Sequence, residues 1–269
     1  MTIFGDPIDV RHLFPIERRS LLDVLENLSP ADWTRETVCP GWTVHDLAAH
    51  VLHDYGRRLS GSRDGHHGSG FHDGETLPVF LARVNDEFVQ AARAFSPAVV
   101  TDLLRHLGVQ LDAYWARKDL DTPADLDVSW AATDVPSPAW LDIAREFTEF
   151  WVHQQQIRDA VGRPDAQNLI APVIDTFARA LPFALRDHTR PEGTSVVLKV
   201  GEQERSAVWH EGRWRMGAGT PTAEITTDQD TFWRLASRGI TVEEARRRAT
   251  MTGDPELTAA ATTLLAVVA

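Results

Sequence analysis

The chain has 269 residues, enough for one large domain or two modest ones, and its 43% hydrophobic and 25% charged content is that of a globular protein, not a disordered one. A net charge of −12 disfavours nucleic-acid partners, because a broad acidic surface repels phosphates. No apolar run reaches the ~18–20 residues that span a bilayer, and the single cysteine, Cys39, excludes an internal disulfide framework and any all-cysteine metal cluster.

Residues 1–11 have neither the basic patch nor the apolar core of a signal peptide, so the cytoplasm is the expected compartment and no membrane partner is expected. Residues 15–28 carry Ile16, Leu21, Leu22, Val24, Leu25 and Leu28 at helical spacing, and Ser29-Pro30 stops them. Cys39-Pro40-Gly41-Trp42 reads as a tight connection. Thr43 follows as an N-cap, with Asp46 three residues on in a weak variant of the capping box. The next helix places Val44, Leu47, Ala48, Val51, Leu52 and Tyr55 on one face and is expected to end at Gly56 or Gly61. Residues 61–74 (GSRDGHHGSGFHDG) read as a glycine-rich loop.

Two more helices are expected over 77–95 and 97–117, then an irregular stretch to Pro138. Residues 140–161 predict a long helix closed by Gly162 and Pro164, and 169–185 predict another. The texture changes over 186–194 (RDHTRPEGT). Short strands are expected at 195–200, 206–209, 213–216 and 223–227, with Glu211-Gly212 as a hairpin turn. Helices over 230–236, 242–249 and 255–268 complete the chain. This pattern divides the chain near residue 188, between a helical bundle (1–187) and a small α+β domain (188–269).

The sequence contains no GxSxG, HExxH, Walker-type or GxGxxG motif. Cys39, beside Pro40 and without a basic neighbour, reads as a structural cysteine. Glu149 and His153 stand four apart, one turn along one helical face, which lets a carboxylate and an imidazole grip one ion. Both lie off the apolar arc of Trp140, Phe147, Phe150, Trp151 and Val161, which fits a polar pocket wall and equally a solvated face. The helix after Thr43 holds His45, His50 and His53, and its apolar arc selects none of them. Asp46 and Asp54 each stand four residues from His50, as acceptors for its ring or as ordinary helix pairs. His66, His67 and His72 sit in the glycine-rich loop, which preorganises ligands badly.

Residues 39–50 (CPGWTVHDLAAH) and 145–164 (REFTEFWVHQQQIRDAVGRP) resemble the two signatures of the mycothiol-dependent maleylpyruvate isomerase family, within the DinB-like metalloenzymes. The segments TDQDTFWRLASRG and TGDPELTAAATTLL are similar to that family's C-terminal domain. The resemblance implies a DinB-like four-helix bundle followed by a small sterol-carrier-like α+β domain. It also implies a divalent metal held by His50, Glu149 and His153, with zinc first and iron or nickel behind it, and mycothiol as thiol cosubstrate.

Two neutral imidazoles and one carboxylate leave a dication with open coordination positions, the catalytic pattern for zinc. The same set also resembles the two-histidine, one-carboxylate triad of non-heme iron. A cation there deprotonates a thiol, whose pKa is otherwise near ~8.5. The thiolate then adds to an electrophilic double bond of a small-molecule substrate, giving a conjugate or a cis–trans isomer, with Glu149 the residue nearest that chemistry. Arg238, in the SRG sequence, is the nominee for binding a carboxylate of substrate or thiol; Arg145 and Arg158 read as intrahelical partners. A lipid-binding module without catalysis, and a non-heme iron enzyme acting on a thiol, are the competing readings.

Overall fold

The computed structural model describes residues 2–128 and 130–266. Helix α1 (Phe14–Glu26) carries Pro15 in its first turn, where a missing N–H leaves no bond unmade. Helix α2 (Val44–Arg58) opens with a full capping box: Thr43 Oγ1 accepts from the Asp46 N–H at 3.3 Å, and Asp46 Oδ2 accepts from the Thr43 N–H at 3.0 Å. Neither of the two expected stops, Gly56 and Gly61, ends the helical stretch. The chain continues through a π-helical turn, Leu59–Arg63, and leaves helical geometry only near Gly65, at φ +70°. A helical glycine is tolerated at about 1 kcal/mol, whereas a left-handed one terminates.

Helix α3 (Leu77–Ala92) and helix α4 (Pro97–Trp115) follow, the latter capped by Ser96 Oγ, which accepts from the Val99 N–H. Helix α5 (Ala139–Val161) is closed by Gly162 at φ +66°. The single helix expected over 169–185 is interrupted. A 3₁₀ turn, Gln167–Leu169, leads into α6 (Ile170–Ala178), and α7 (Leu181–Ala184) starts afresh with Pro182 in its first turn, since proline cannot donate to the preceding turn.

Five strands are present among the described residues: β1 (Thr194–Val200), β2 (Gln203–His210), β3 (Arg213–Met216), β4 (Thr220–Thr227) and β5 (Thr250–Gly253). They form one sheet in the order β3-β2-β1-β4-β5, with β1 and β4 parallel and the other neighbours antiparallel. Glu211 and Gly212 both have positive φ, 51° and 77°, as a two-residue hairpin turn requires. Central β1 is buried on both faces, not in simple alternation. Strand β5 was not anticipated. All four of its residues are exposed, so no alternation marks it, and Gly253 is needed because a Cβ there would meet the Thr222 carbonyl oxygen at 2.1 Å.

Helices α8 (Gln229–Ala236), α9 (Val242–Arg248) and α10 (Pro255–Ala261) complete the order. Helix α10 stops short of the expected 255–268: hydroxyls of Thr262 and Thr263 turn back onto local carbonyls, and the Ala266 N–H is taken by Ala236. Positions 267 and 268 lie outside the described residues.

The chain forms two compact units. One groups residues up to Ile8 with Asp121–Arg145 and the chain from Ile170 onward; the other comprises Asp9–Leu120 and Glu146–Leu169. In the first, β1 buries Val196, Leu198 and Val200, and α8 buries Phe232 and Trp233. In the second, α2 packs on α3 and α4, and α1 on α4. Its core includes Leu21, Leu25, Leu47, Leu104 and Trp115, with Phe14 edge-on to Phe147 and Phe150 at 5.5 and 5.9 Å. Among the described residues no helix is long and apolar enough to cross a membrane.

Candidate metal centre between helices α2 and α5

Several side-chain contacts join α2 to α5. Arg58 Nη2 donates to Glu146 Oε2 at 2.6 Å, both side chains fully buried. Tyr55 meets Phe150 with ring centroids 4.8 Å apart. His50 Nε2 lies 3.4 Å from Glu149 Oε1. With His50 against His153, Tyr55 against Phe150 and Arg58 against Glu146, residue numbers rise along α2 as they fall along α5, so the helices run antiparallel.

The polar face of α5 is therefore a wall inside the protein. Glu146, Gln154, Gln155 and Gln156 are all buried. Among these buried neighbours Glu149 and His153 are half-buried, with side chains 28% and 11% exposed, which is the polar wall of a pocket partly open to solvent. His153 Nε2 lies 3.0 Å from the same Glu149 Oε1 that faces His50, and the two imidazole centroids are 4.7 Å apart. The ligand atoms of His50, Glu149 and His153 all fall within 4.8 Å of one another, as do those of His50, His53 and Asp54.

The first set fits a divalent cation. Two donors each ~2.1 Å from one ion and roughly 90–110° apart are separated by about 3.0–3.4 Å, which matches the 3.0 and 3.4 Å distances of the two Nε2 atoms from Glu149 Oε1. The donor chemistry also fits, with two imidazoles and one carboxylate. His153 is oriented from behind: its Nδ1 is 2.8 Å from Gln156 Oε1, an acceptor, so Nδ1 carries a proton and Nε2 is the nitrogen turned toward Glu149. Cys39 Sγ donates to that same oxygen at 3.4 Å. Trp42 covers His50, with ring centroids 5.1 Å apart.

Burial pushes the Glu149 carboxyl upward, but the charges and hydrogen bonds of His153 and His50 outweigh it and hold it well below the usual carboxylate range. Burial likewise works against a charged His153, yet the Glu149 carboxylate raises that imidazole well above its ordinary value. The pair is built around an anionic Glu149 that attracts positive charge.

The other singled-out residues are placed as follows. Asp46 is committed to the Thr43 cap and to Arg93, at 2.9 Å, and does not serve His50. Asp54 does approach it, at 3.7 Å from Nε2. His45 is held by the Phe95 carbonyl at 3.0 Å, and His53 by Asn85 Oδ1 at 3.2 Å while stacking on Phe88. His66, His67 and His72 are exposed. Arg145 reaches Asp142 within its helix, and Arg158 bonds Gln154 and, outside the helix, Ser20 and the Pro164 carbonyl. Arg238 belongs to the other unit, where it is exposed and ends α8 in a left-handed conformation at φ 62°. Cys39, half-buried, lies closer to the chemistry than its sequence neighbours suggest. Trp42 and Gln156 join it as site residues whose roles no sequence pattern marked, whereas Asp54 is the one of the two expected partners of His50 that approaches it.

A family model for the mycothiol maleylpyruvate isomerase N-terminal domain matches residues 14–158, more than half of the chain and all three of these donors. The chain belongs to this family. Among solved structures, the mycothiol-dependent maleylpyruvate isomerase aligns over 94% of this chain and 97% of its own, at 17% identity and a TM-score of 0.55. A mutant of that isomerase aligns over the same shares, at 16% identity and a TM-score of 0.56. These likenesses establish the fold across both units of this family member. A colibactin self-resistance protein, solved with double-stranded DNA, aligns at a TM-score of only 0.44 over 56% of this chain, too weak a likeness to bear on ligands. No curated protein sequence matches the chain.

Proposed function

We propose that this family member is a mycothiol-dependent metalloenzyme acting on a small electrophilic substrate, as an isomerase or a thiol S-transferase. The observation that carries the reading is the convergence of His50, Glu149 and His153 from two helices onto one point, with His50 buried and Glu149 half-buried. Residues 1–187 are proposed as a DinB-like four-helix bundle and 188–269 as a sterol-carrier-like domain, although 121–145 and 170–187 group with the sheet unit.

His50 and His153 would hold the cation through Nε2, and Glu149 would supply the neutralising charge. Zinc suits this open, nitrogen-rich set, and iron or nickel would use the same donors. When bound, the cation lowers the pKa of a thiol from ~8.5, so that a thiolate exists at neutral pH. The protein's own residues do the rest. Gln156 holds the Nδ1–H of His153 and so keeps its Nε2 turned inward, while Trp42 shields His50 from water. The thiol sulfur would add to a conjugated double bond of the substrate. Rotation about the resulting single bond and expulsion of the thiol give the geometric isomer; protonation of the adduct gives the conjugate. Arg238 is proposed as the group that receives a carboxylate of substrate or thiol, because its guanidinium is exposed and its left-handed backbone is a strained conformation of the kind found at functional sites.

The test is metal-reconstituted protein assayed for isomerisation and for conjugate formation with mycothiol. Thiol-dependent turnover that is lost on chelation supports the reading; turnover indifferent to both thiol and chelator refutes it.

A further inference from the structure

A second carboxylate, Asp54, stands beside His50 in addition to Glu149. Asp54 follows His50 by one turn of α2, as His153 follows Glu149 by one turn of α5. Each helix thus offers one histidine and one carboxylate at the same spacing, and the two pairs face each other.

Asp54 is 3% exposed. Its Oδ1 is fixed by Arg57, which donates to it at 2.9 Å. Its Oδ2 is buried and has no hydrogen-bond partner. That oxygen lies 3.7 Å from His50 Nε2, the nitrogen that Glu149 Oε1 also approaches, at 3.4 Å. An imidazole N–H can satisfy only one carboxylate well, and a ring donating to either has no lone pair left on that nitrogen. A buried carboxylate oxygen with no donor is destabilising unless something else fills its lone pairs. A cation beside His50 Nε2 does so, and it also lets both carboxylates keep their positions. The neighbouring His53 has its Nδ1 toward Asn85 and its ring stacked on Phe88, and the H53Q variant tests whether its Nε2 contributes. Because both carboxylates approach the same nitrogen, and one lone pair serves one ion, a single centre follows, not two.

We infer that Asp54 is a cation-binding residue of this centre, so that a divalent cation is held between two histidine–carboxylate pairs. The inference rests on the metal centre proposed above and extends it.

The experiment is competition titration of zinc against a chromophoric chelator, with wild-type protein and the D54N, D54E, H53Q and H50A variants. Far-UV circular dichroism and thermal melting in chelator check each fold. The expected result is one ion per chain, an affinity weakened ten- to hundredfold in D54N, partial recovery in D54E, and wild-type affinity in H53Q. Wild-type affinity in a folded D54N overturns the inference, and so do two ions per chain in the wild type with one lost in H53Q. If D54N does not fold, the crystal structure of zinc-loaded wild type decides: Asp54 Oδ2 within ~2.2 Å of the ion supports the inference, and an oxygen left outside the ion's coordination contradicts it. Failure of the underlying centre reads differently, as wild type and H50A taking up no cation alike.

Discussion

His153 and Gln156, one turn apart on α5, are joined through Nδ1 and Oε1 at 2.8 Å. This bond points away from Glu149 and leaves the other ring nitrogen facing it. Outer partners of this kind fix the tautomer and orientation of a metal-binding histidine.

Replacing Gln156 by Leu should therefore act at a distance from the cation. The ring of His153 would lose its acceptor and could protonate on Nε2 instead. Zinc affinity is expected to fall about tenfold, within the range for such outer partners, while Gln156→Glu should retain it. A chelator competition assay reads both, and an unchanged affinity in Gln156→Leu would show that the tautomer is set by something else.

Glu17 on α1 governs a pH dependence unrelated to the cation. Its side chain is buried, one oxygen accepts from Gln154 Nε2 at 3.0 Å, and the other has no hydrogen-bond partner. Burial raises its pKa to about 8, against an ordinary value of 4.5, with Arg18 and Gln154 opposing. The folded chain therefore keeps a proton that the unfolded chain releases between those values. Stability should fall as pH rises through this window, by at most about 1.4 kcal/mol per unit. Glu17→Gln keeps the acceptor for Gln154 and removes the titration. Its melting temperature should exceed that of the wild type at pH 8.5 and match it at pH 4.5. Parallel pH profiles for the two proteins would contradict this.

The Arg58–Glu146 pair is the buried electrostatic rung between α2 and α5. Glu146→Gln removes the charge that the buried Arg58 guanidinium meets at 2.6 Å, beside the Trp115 ring at 5.6 Å. A loss of about 3–5 kcal/mol is expected from such a half-broken pair. The double variant Arg58→Met, Glu146→Leu should lose much less. Urea denaturation measures both, and equal losses in the single and double variants would mean that the charge pair is not the source.

Local signals were legible where the chemistry is local. Thr43 and Asp46 announced the start of α2, Gly162 the end of α5, and Glu211-Gly212 the hairpin between β2 and β3. Strand β5 was illegible because exposed residues carry no alternation, and the break between α6 and α7 was masked by a continuous apolar pattern across Pro182. In the candidate site, helical spacing paired Glu149 with His153 but could not choose among the three histidines of α2; the family resemblance selected His50. The structure separates them physically, since His45 and His53 are bonded elsewhere while His50 faces Glu149. Cys39 and Gln156 stand 117 positions apart, and only the antiparallel packing of distant segments brings them together. Asp54 was visible as a neighbour of His50, but its unpartnered oxygen is a property of burial that no spacing reveals.

The central claim is that His50, Glu149 and His153 hold one divalent cation. Elemental analysis of the purified wild type beside His50→Ala and His66→Ala tests it most directly. One equivalent of metal in the wild type and in His66→Ala, with most of it lost from a folded His50→Ala, is the predicted result. Equal metal content in all three proteins, or none in the wild type after incubation with zinc, iron and nickel in turn, would contradict it.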